Sequence, residues 1–106
     1  GDHILKYLVR KMLDVFRDTD IVGRYGGDEF IIVLRGCSEK NAFDIMNRFR
    51  MHIEHDKIRF GNDTMSITLS IGIAHCDKPE LTENVVKFAD EALYRAKHSG
   101  KNQVSI

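Results

Sequence analysis

Residues 24–34 of the chain read Arg-Tyr-Gly-Gly-Asp-Glu-Phe-Ile-Ile-Val-Leu, a polar stretch with two glycines that runs directly into apolar residues. The nearly continuous apolar run over Glu29 to Leu34 predicts a strand that is buried on both faces. Asp20 to Tyr25 reads as a second extended segment, and Gly26-Gly27-Asp28 between the two has the chemistry of a tight turn. This part of the chain therefore predicts a β-hairpin.

Three helices are predicted around the hairpin, because apolar residues recur there at helical spacing. The first covers residues 2–17, the second follows Ser38 as its N-cap, and the third follows Thr82, beyond the break at Pro79. Gly100 is placed to end the third helix. The positions expected to face the core are Leu5, Leu8, Val9, Met12 and Phe16, then Ala42, Ile45, Met46, Phe49 and Ile53, and finally Val85, Val86, Ala89, Ala92, Leu93 and Ala96.

Residues 57–76 predict a pair of strands with a turn at Asn62-Asp63, and Gln103–Ile106 predicts a closing strand. Strict alternation of apolar residues in the second strand of the pair indicates that one of its faces is buried. The alternating residues are Met65, Ile67, Leu69, Ile71 and Ile73. Hairpins alternating with helices predict an α/β (α+β) fold, in which a mixed, mainly antiparallel central sheet is flanked by helices.

Composition narrows the class of protein further. The 106 residues carry 16 Lys+Arg against 16 Asp+Glu, and 42% of them are hydrophobic, which is typical of one small globular domain. A broadly basic nucleic-acid surface and a membrane-spanning segment are not expected. Cys37 and Cys76 lie far apart in sequence, which favours buried thiols without a disulfide and a cytoplasmic location.

The adjacent acids Asp28 and Glu29 are the residues most able to carry chemistry. Neighbours in a strand point to opposite faces, so the two carboxylates are expected to do different work. Carboxylate oxygens are the ligands that Mg²⁺ prefers, together with the phosphates of a substrate. Taken without other motifs, however, a Gly-Gly-acid-acid turn is a weak signal of function, and an acidic hairpin turn is the better explanation.

Several blocks of the sequence together resemble a known family. Gly26-Gly27-Asp28-Glu29-Phe30 resembles the signature of the GGDEF family, the bacterial diguanylate cyclases. Gly1-Asp2 is similar to the pair that opens the helix before that signature. Ser70–Ala74 is similar to a later strand motif, and Ala89–Lys97 with Gly100-Lys101-Asn102 resembles the last-helix motif. The blocks occur in the family's order and span nearly the whole chain.

This resemblance implies a fold related to the nucleotide cyclases and the polymerase palm. It also implies an activity, which is the joining of two GTP molecules into cyclic di-GMP with release of two pyrophosphates. Two such domains meet as a homodimer, and each 3′-hydroxyl attacks the α-phosphate of the other nucleotide. Mg²⁺ or Mn²⁺ is the implied cofactor, because it neutralises phosphate charge and helps to form the attacking alkoxide.

The resemblance also assigns roles to individual residues. Asp28 and Glu29 match the signature acids that hold metal, and Asp28 matches the acid proposed to assist deprotonation of the 3′-hydroxyl. Asp2 matches the acid that reads the guanine edge. The remaining substrate-binding matches are Gly26 and Gly27 at the turn that approaches the nucleotide, and Lys97 and Lys101 as the basic pair at the terminal phosphates. The family more often has Arg at the last position, so Lys101 offers a point charge in place of a bidentate fork.

Arg17 and Asp20 lie just before the signature, at the spacing of the family's Arg-x-x-Asp inhibitory site. In that site the Arg grips the phosphate and guanine of the product, and the Asp accepts from the base. We therefore expect product inhibition by cyclic di-GMP at these two residues. A polar turn between helix and strand is the alternative reading of the same four residues.

The chain departs from the family's pattern at its start. The family's first strand carries a metal-binding Asp followed by Phe-Lys and Asn-Asp segments, and none of these is found here. Residues 1–106 are therefore expected to be a single truncated GGDEF domain that is inactive when isolated, with a sensory domain upstream in the parent protein. A non-catalytic cyclic di-GMP receptor and a GTP-binding regulatory module attached to a phosphodiesterase domain remain as alternatives.

Overall fold

The computed structural model describes residues 2–16, 21–26, 29–76 and 82–106, and the chain divides into two compact units, Gly1–Cys37 and Ser38–Ile106. In the described residues, three helices accompany three two-stranded sheets, of which two are antiparallel and one is parallel. The predicted mixed α/β class is confirmed. No helix in this described part has the length and apolarity needed to cross a membrane.

The first unit begins with helix α1, Asp2–Val15. Leu8 and Met12, which are four residues apart and therefore lie on one face of the helix, are buried at 7% and 4% exposure. On another face Leu13 is 69% exposed. The predicted helix is thus confirmed, with Leu8 and Met12 buried as predicted, but the prediction that Val9 faces the core is wrong, because Val9 is 38% exposed.

The predicted hairpin is formed by strands β1, Ile21–Gly26, and β2, Glu29–Val33, which pair in antiparallel orientation. The prediction that the second strand is buried on both faces is wrong. Its first four side chains are half-buried and Val33 is 43% exposed. Among the described residues β2 pairs with β1 alone, and a two-stranded ladder provides too few neighbours to cover both faces.

Helix α2, Glu39–His55, opens the second unit and begins as the sequence predicts. The backbone N–H of Asn41 donates to the Ser38 hydroxyl at 3.1 Å, and this bond satisfies one of the orphan donors of the first turn. Three positions of the predicted stripe, Met46, Phe49 and Ile53, are buried. This stripe anchors the core of the unit.

Strands β3, Ile58–Phe60, and β4, Asp63–Met65, form a short antiparallel hairpin around Gly61, whose φ is +59°. The long alternating strand predicted over 65–73 is divided, because regular pairing stops at Met65 and resumes only in β5, Ile71–Gly72. Met65 is 40% exposed, so the predicted buried face is wrong at that end. Residues 66–70 have no ladder partner among the described residues. An alternating apolar pattern indicates which face of a strand can be buried, but it does not provide a neighbouring strand to pair with.

Strand β5 pairs in parallel with β6, Val104–Ser105, and both strands pack against helix α3, Thr82–His98. Two small side chains of α3, those of Ala92 and Ala96, have no exposed surface. Ile73, on the strand side, is 9% exposed. The predicted third helix, the inward positions of Ala92 and Ala96, and the closing strand are confirmed, whereas Ala89 is half-buried.

The predicted stop at Gly100 is also confirmed. Gly100 has a φ of +116°, and the N–H of Lys101 donates to the carbonyl of Ala96 at 3.0 Å. This six-to-one bond across a positive-φ glycine is the Schellman ending of a helix. Cys37 and Cys76 are both half-buried, so the prediction that their thiols are buried is wrong.

Candidate active site

The signature acids lie at the closed end of the hairpin in the first unit. Gly26, the last residue of β1, pairs with Glu29, the first residue of β2. Gly27 and Asp28 follow Gly26 directly and lie outside the described residues. The Glu29 side chain is half-buried. The antiparallel ladder therefore extends to Gly26 and Glu29, the residues on either side of the predicted catalytic turn.

A register shift in β1 lies next to this turn. Arg24 pairs with Phe30 while Gly26 pairs with Glu29, so Tyr25 is an extra residue on its strand. Such a β-bulge bends the strand, increases its local twist and re-aims the side chains beside it. Sequence reasoning did not anticipate the bulge, although a glycine within a strand pattern is a signal for one.

The carboxylates of Asp28 and Glu29 have the chemistry of a site for a hard divalent cation, since they offer only oxygen donors. Of the two, only Glu29 lies in the described part of the chain. Within that part, no group of three or more His, Cys, Asp or Glu residues could hold a metal ion. The oxygen donors of these two acids are chemically suited to the implied Mg²⁺ or Mn²⁺, and their role as its ligands stays a prediction from the sequence.

The predicted phosphate-binding pair lies in the second unit. Lys97 is in the last turn of α3, and Lys101 follows the helix with its backbone N–H bound to Ala96. Both lysine side chains are exposed. The helix ending thus brings the two lysines to the same end of α3, although the helix does not continue from one to the other.

The other predicted site residues are described in part or not at all. Asp2 is the first residue of α1, but its side chain lies outside the described residues. Arg17 and Asp20 of the predicted inhibitory site also lie outside them. Their roles stay predictions from the sequence.

Sequence reasoning missed a polar cluster beside Lys101. Arg50 and Glu54 of α2 both contact the side chain of Asn102, the residue that follows Lys101. Two signals were available in the sequence. Asn102 belongs to the block that resembles the last-helix motif, and Arg50 and Glu54 have a helical spacing of four residues, which is too common to single out a site. The side chain of Tyr94 is 61% exposed, and its ring stacks on that of His98 with 3.7 Å between the ring centroids. Tyr94 is therefore not a packing residue of the core.

With the hairpin and the lysine pair in place, comparison with known proteins gives the family. The family model described as "Diguanylate cyclase, GGDEF domain" matches residues 1–103. The chain belongs to this family, and its resemblance to the GGDEF signature is thereby confirmed.

Two curated relatives show the extent of the likeness. Diguanylate cyclase DosC of Escherichia coli (strain K12) is 40% identical over 107 residues, which cover 100% of this chain and 23% of that protein. Response regulator PleD of Caulobacter vibrioides (strain NA1000 / CB15N) is 33% identical, with 98% of this chain and 24% of that protein covered. The chain therefore spans about a quarter of the length of these relatives.

Solved structures agree with the fold. The GGDEF domain of DgcB from Caulobacter crescentus, in complex with cyclic di-GMP, has a TM-score of 0.91 at 26% identity and covers 99% of this chain and 63% of that one. Diguanylate cyclase SiaD from Pseudomonas aeruginosa, in complex with its activator SiaC, has a TM-score of 0.88 at 32% identity. That match covers 98% of this chain and 40% of the SiaD chain.

Proposed function

We propose that this chain is part of a longer protein, called here the parent protein, and that the parent protein is a diguanylate cyclase. It joins two GTP molecules into cyclic di-GMP and releases two pyrophosphates. The observation that carries the proposal is the intact sequence from Gly26 to Phe30 in a chain of the GGDEF family. Within it Gly26 and Glu29, on either side of Gly27 and Asp28, pair at the end of a bulged hairpin.

Asp28 and Glu29 would hold the Mg²⁺ or Mn²⁺ ion, which supplies positive charge against the phosphates of GTP. Asp28 accepts the proton of a 3′-hydroxyl, and the resulting oxygen attacks the α-phosphorus of the second nucleotide. The bond from that phosphorus to the pyrophosphate oxygen breaks as the new ester bond forms. Because each domain binds one GTP, two copies must face each other as a homodimer for both bonds to form.

The remaining residues bind the nucleotide. Asp2 accepts from the N1 and N2 donors of guanine, which adenine does not present in the same arrangement. Gly26 and Gly27 let the backbone approach the nucleotide without a side chain in between. Lys97 and Lys101 contact the terminal phosphates, and both stand at the end of α3 with exposed side chains. Positioning and charge stabilisation thus account for most of the protein's work.

Incubation of the purified parent protein with GTP and Mg²⁺ or Mn²⁺ tests the proposal. We expect cyclic di-GMP and pyrophosphate in a one-to-two ratio. Chromatography measures the first, and a phosphate-release assay with added inorganic pyrophosphatase measures the second, since each pyrophosphate then gives two phosphates. The isolated 106-residue chain is expected to form no product, because the first-strand Asp of the family's metal site is not in its sequence. A parent protein that binds GTP but never turns it over would contradict the cyclase proposal and favour a regulatory module.

We also propose that Arg17 and Asp20 bind the product and restrain the enzyme. The support is their position directly before β1 and the Arg-x-x-Asp spacing. Exchange of Arg17 for Ala removes a planar donor that matches phosphate and guanine oxygens, so we expect the affinity for cyclic di-GMP to fall by about tenfold or more. Titration calorimetry of the parent protein with cyclic di-GMP measures the change.

The matched control for this prediction is Arg59→Ala. Arg59 is an exposed arginine in β3 that is not one of the proposed product-binding residues, and its loss changes the net charge equally. Equal affinity in Arg17→Ala and the unaltered protein would show that the product binds elsewhere. Equal weakening by Arg17→Ala and Arg59→Ala would show only a general effect of charge.

A further inference from the structure

Three consecutive residues after α3 have positive φ angles: Gly100 at +116°, Lys101 at +59° and Asn102 at +48°. Glycine adopts such angles without strain, and Asn is enriched among the other residues that do so. Lysine has neither advantage, because its Cβ crowds the following carbonyl in the left-handed region. A lysine held there persists only where the surrounding structure fixes the backbone, and such positions cluster at functional sites.

The surroundings of Asn102 fix it from three directions. Its backbone N–H donates to Ser70 Oγ at 3.3 Å, its Oδ1 accepts from Arg50 Nη1 at 2.8 Å, and its Nδ2 donates to Glu54 Oε2 at 2.5 Å. We call Arg50, Glu54, Ser70 and Asn102 the Asn102 clamp. The clamp joins α2, the segment before β5 and the turn after α3.

The clamp is itself held in place. Arg50 and Glu54 lie four residues apart on α2 and form an ion pair at 3.3 Å, and Arg50 Nε donates to Asn47 Oδ1 at 3.0 Å. The side chain of Arg50 is only 14% exposed and that of Glu54 is 34% exposed. Because these groups are largely withdrawn from water and bonded to each other, Asn102 meets a preorganised partner.

Lys101 is fixed on both sides while its side chain is exposed. Its N–H donates to the Ala96 carbonyl at 3.0 Å, and its own carbonyl accepts from Gln103 Nε2 at 3.1 Å. A lysine ammonium is a point charge at the end of a flexible four-carbon side chain. The region that the ammonium can reach therefore depends on the position and direction in which the side chain leaves the backbone. The direction of the Cα–Cβ bond is therefore the part that the protein can set.

We propose that the Asn102 clamp positions Lys101 for the terminal phosphates of the bound nucleotide. The inference rests on the proposed function, in which Lys101 contacts those phosphates. Arg50, Glu54, Ser70 and Asn102 are positioning residues: they act through the backbone of Lys101 and not by contact with GTP. The clamp stabilises the left-handed backbone that directs Lys101, beside Lys97, out of the end of α3.

The test is a double-mutant cycle on nucleotide binding by the parent protein. The probe is 3′-deoxy-GTP with Mg²⁺, which keeps the triphosphate and lacks the reacting hydroxyl. We expect Lys101→Ala to weaken binding about tenfold, because a charged contact is lost, and Asn102→Ala about fivefold. In the Lys101→Ala background, Asn102→Ala is expected to add less than about twofold, because the residue that it positions is gone. In GTP turnover, Asn102→Ala raises KM while kcat changes by less than about twofold.

Two further variants keep the test decisive. Asn41→Ala is the matched control, because Asn41 is an exposed asparagine of α2 outside the clamp, and we expect it to leave binding unchanged. Ser70→Ala removes only the hydroxyl that accepts from the Asn102 backbone N–H. If Asn102→Ala does not fold, Ser70→Ala replaces it in the double-mutant cycle with Lys101→Ala. Circular dichroism of each variant reports whether it is folded.

The outcomes separate this inference from the proposed function. If Lys101→Ala weakens binding but Asn102→Ala does not, or if the two effects are fully additive, the positioning role is overturned while the phosphate contact stands. If Lys101→Ala leaves binding unchanged, the proposed phosphate contact is itself wrong, and the positioning role fails with it. Loss of the Asn102→Ala effect in the Lys101→Ala background supports the clamp.

Discussion

Exchange of Asp28 for Asn in the parent protein is expected to lower the rate of cyclic di-GMP formation by about a thousandfold or more. The amide has nearly the shape of the carboxylate but no negative charge, so it is a poor ligand for a divalent cation and no acceptor for the 3′-hydroxyl proton. Both losses affect the chemical step. Initial rates of product formation at saturating GTP and metal measure the change directly.

The matched control is Asp63→Asn, which makes the same chemical change at the exposed first residue of β4. We expect its rate to stay within about twofold of the unaltered enzyme, since surface substitutions away from a site have small effects. A normal rate in Asp28→Asn would contradict the role given to this acid. Excess Mn²⁺ provides a second check, because a weakened metal site requires more metal for half-maximal activity.

The helices could be predicted from the sequence because their signals are local. Ser38 caps α2 through a bond to Asn41, only three residues away, and Gly100 ends α3 through its own positive φ. The apolar stripes likewise require only the period of the helix, and their central members Phe49 and Ala92 are buried. Each of these features depends on residues within one or two turns of the chain.

Strand pairing was harder to predict because it depends on distant partners. The alternation from Met65 to Ile73 correctly marks Ile73 as buried, but it cannot say which neighbouring strand completes the ladder at 66–70. The apolar run of β2 likewise predicts burial on both faces, while the structure leaves Val33 43% exposed. An apolar pattern states what a strand can bury and not what is available to cover it.

The candidate site, like the fold, has local features that could be predicted from the sequence and long-range contacts that could not. The Gly26–Phe30 motif and the spacing of Lys97 and Lys101 identify the family from the sequence, because motifs are local. The Asn102 clamp was invisible there, since Arg50 and Asn102 are 52 residues apart and meet only in the folded unit. The positive φ at Lys101 was not predicted either, because no local rule places a lysine in that conformation.

One glycine of the later strand motif, Gly72, is required by packing and not by its conformation. A Cβ built on Gly72 would overlap the backbone nitrogen of Leu93 and the carbonyl oxygen of Ala89, and would lie 2.7 Å from the Leu93 Cα. All three atoms belong to the backbone of α3, so no side-chain rotation relieves the overlap. The absence of a side chain at Gly72 is what lets β5 approach the helix so closely.

We therefore expect Gly72→Ala to destabilise the second unit by about 3 kcal/mol or more, because overpacking against a backbone forces the helix and the strand apart. Hydrogen exchange of the parent protein locates the damage. The amides of Ile71 and Ile73, which donate to the carbonyls of Gln103 and Ser105, should lose protection, because the β5–β6 ladder no longer fits beneath α3.

The control separates steric overlap from backbone strain. Gly36 has a φ of +65° and would place its Cβ in open space, so Gly36→Ala introduces only the cost of a left-handed alanine, about 1 kcal/mol. Gly72→Ala should therefore be the more damaging variant, although Gly36 is the glycine with the unusual backbone angle. Equal destabilisation by the two variants would mean that α3 shifts at little cost, and close packing would then not be the reason for a glycine at position 72.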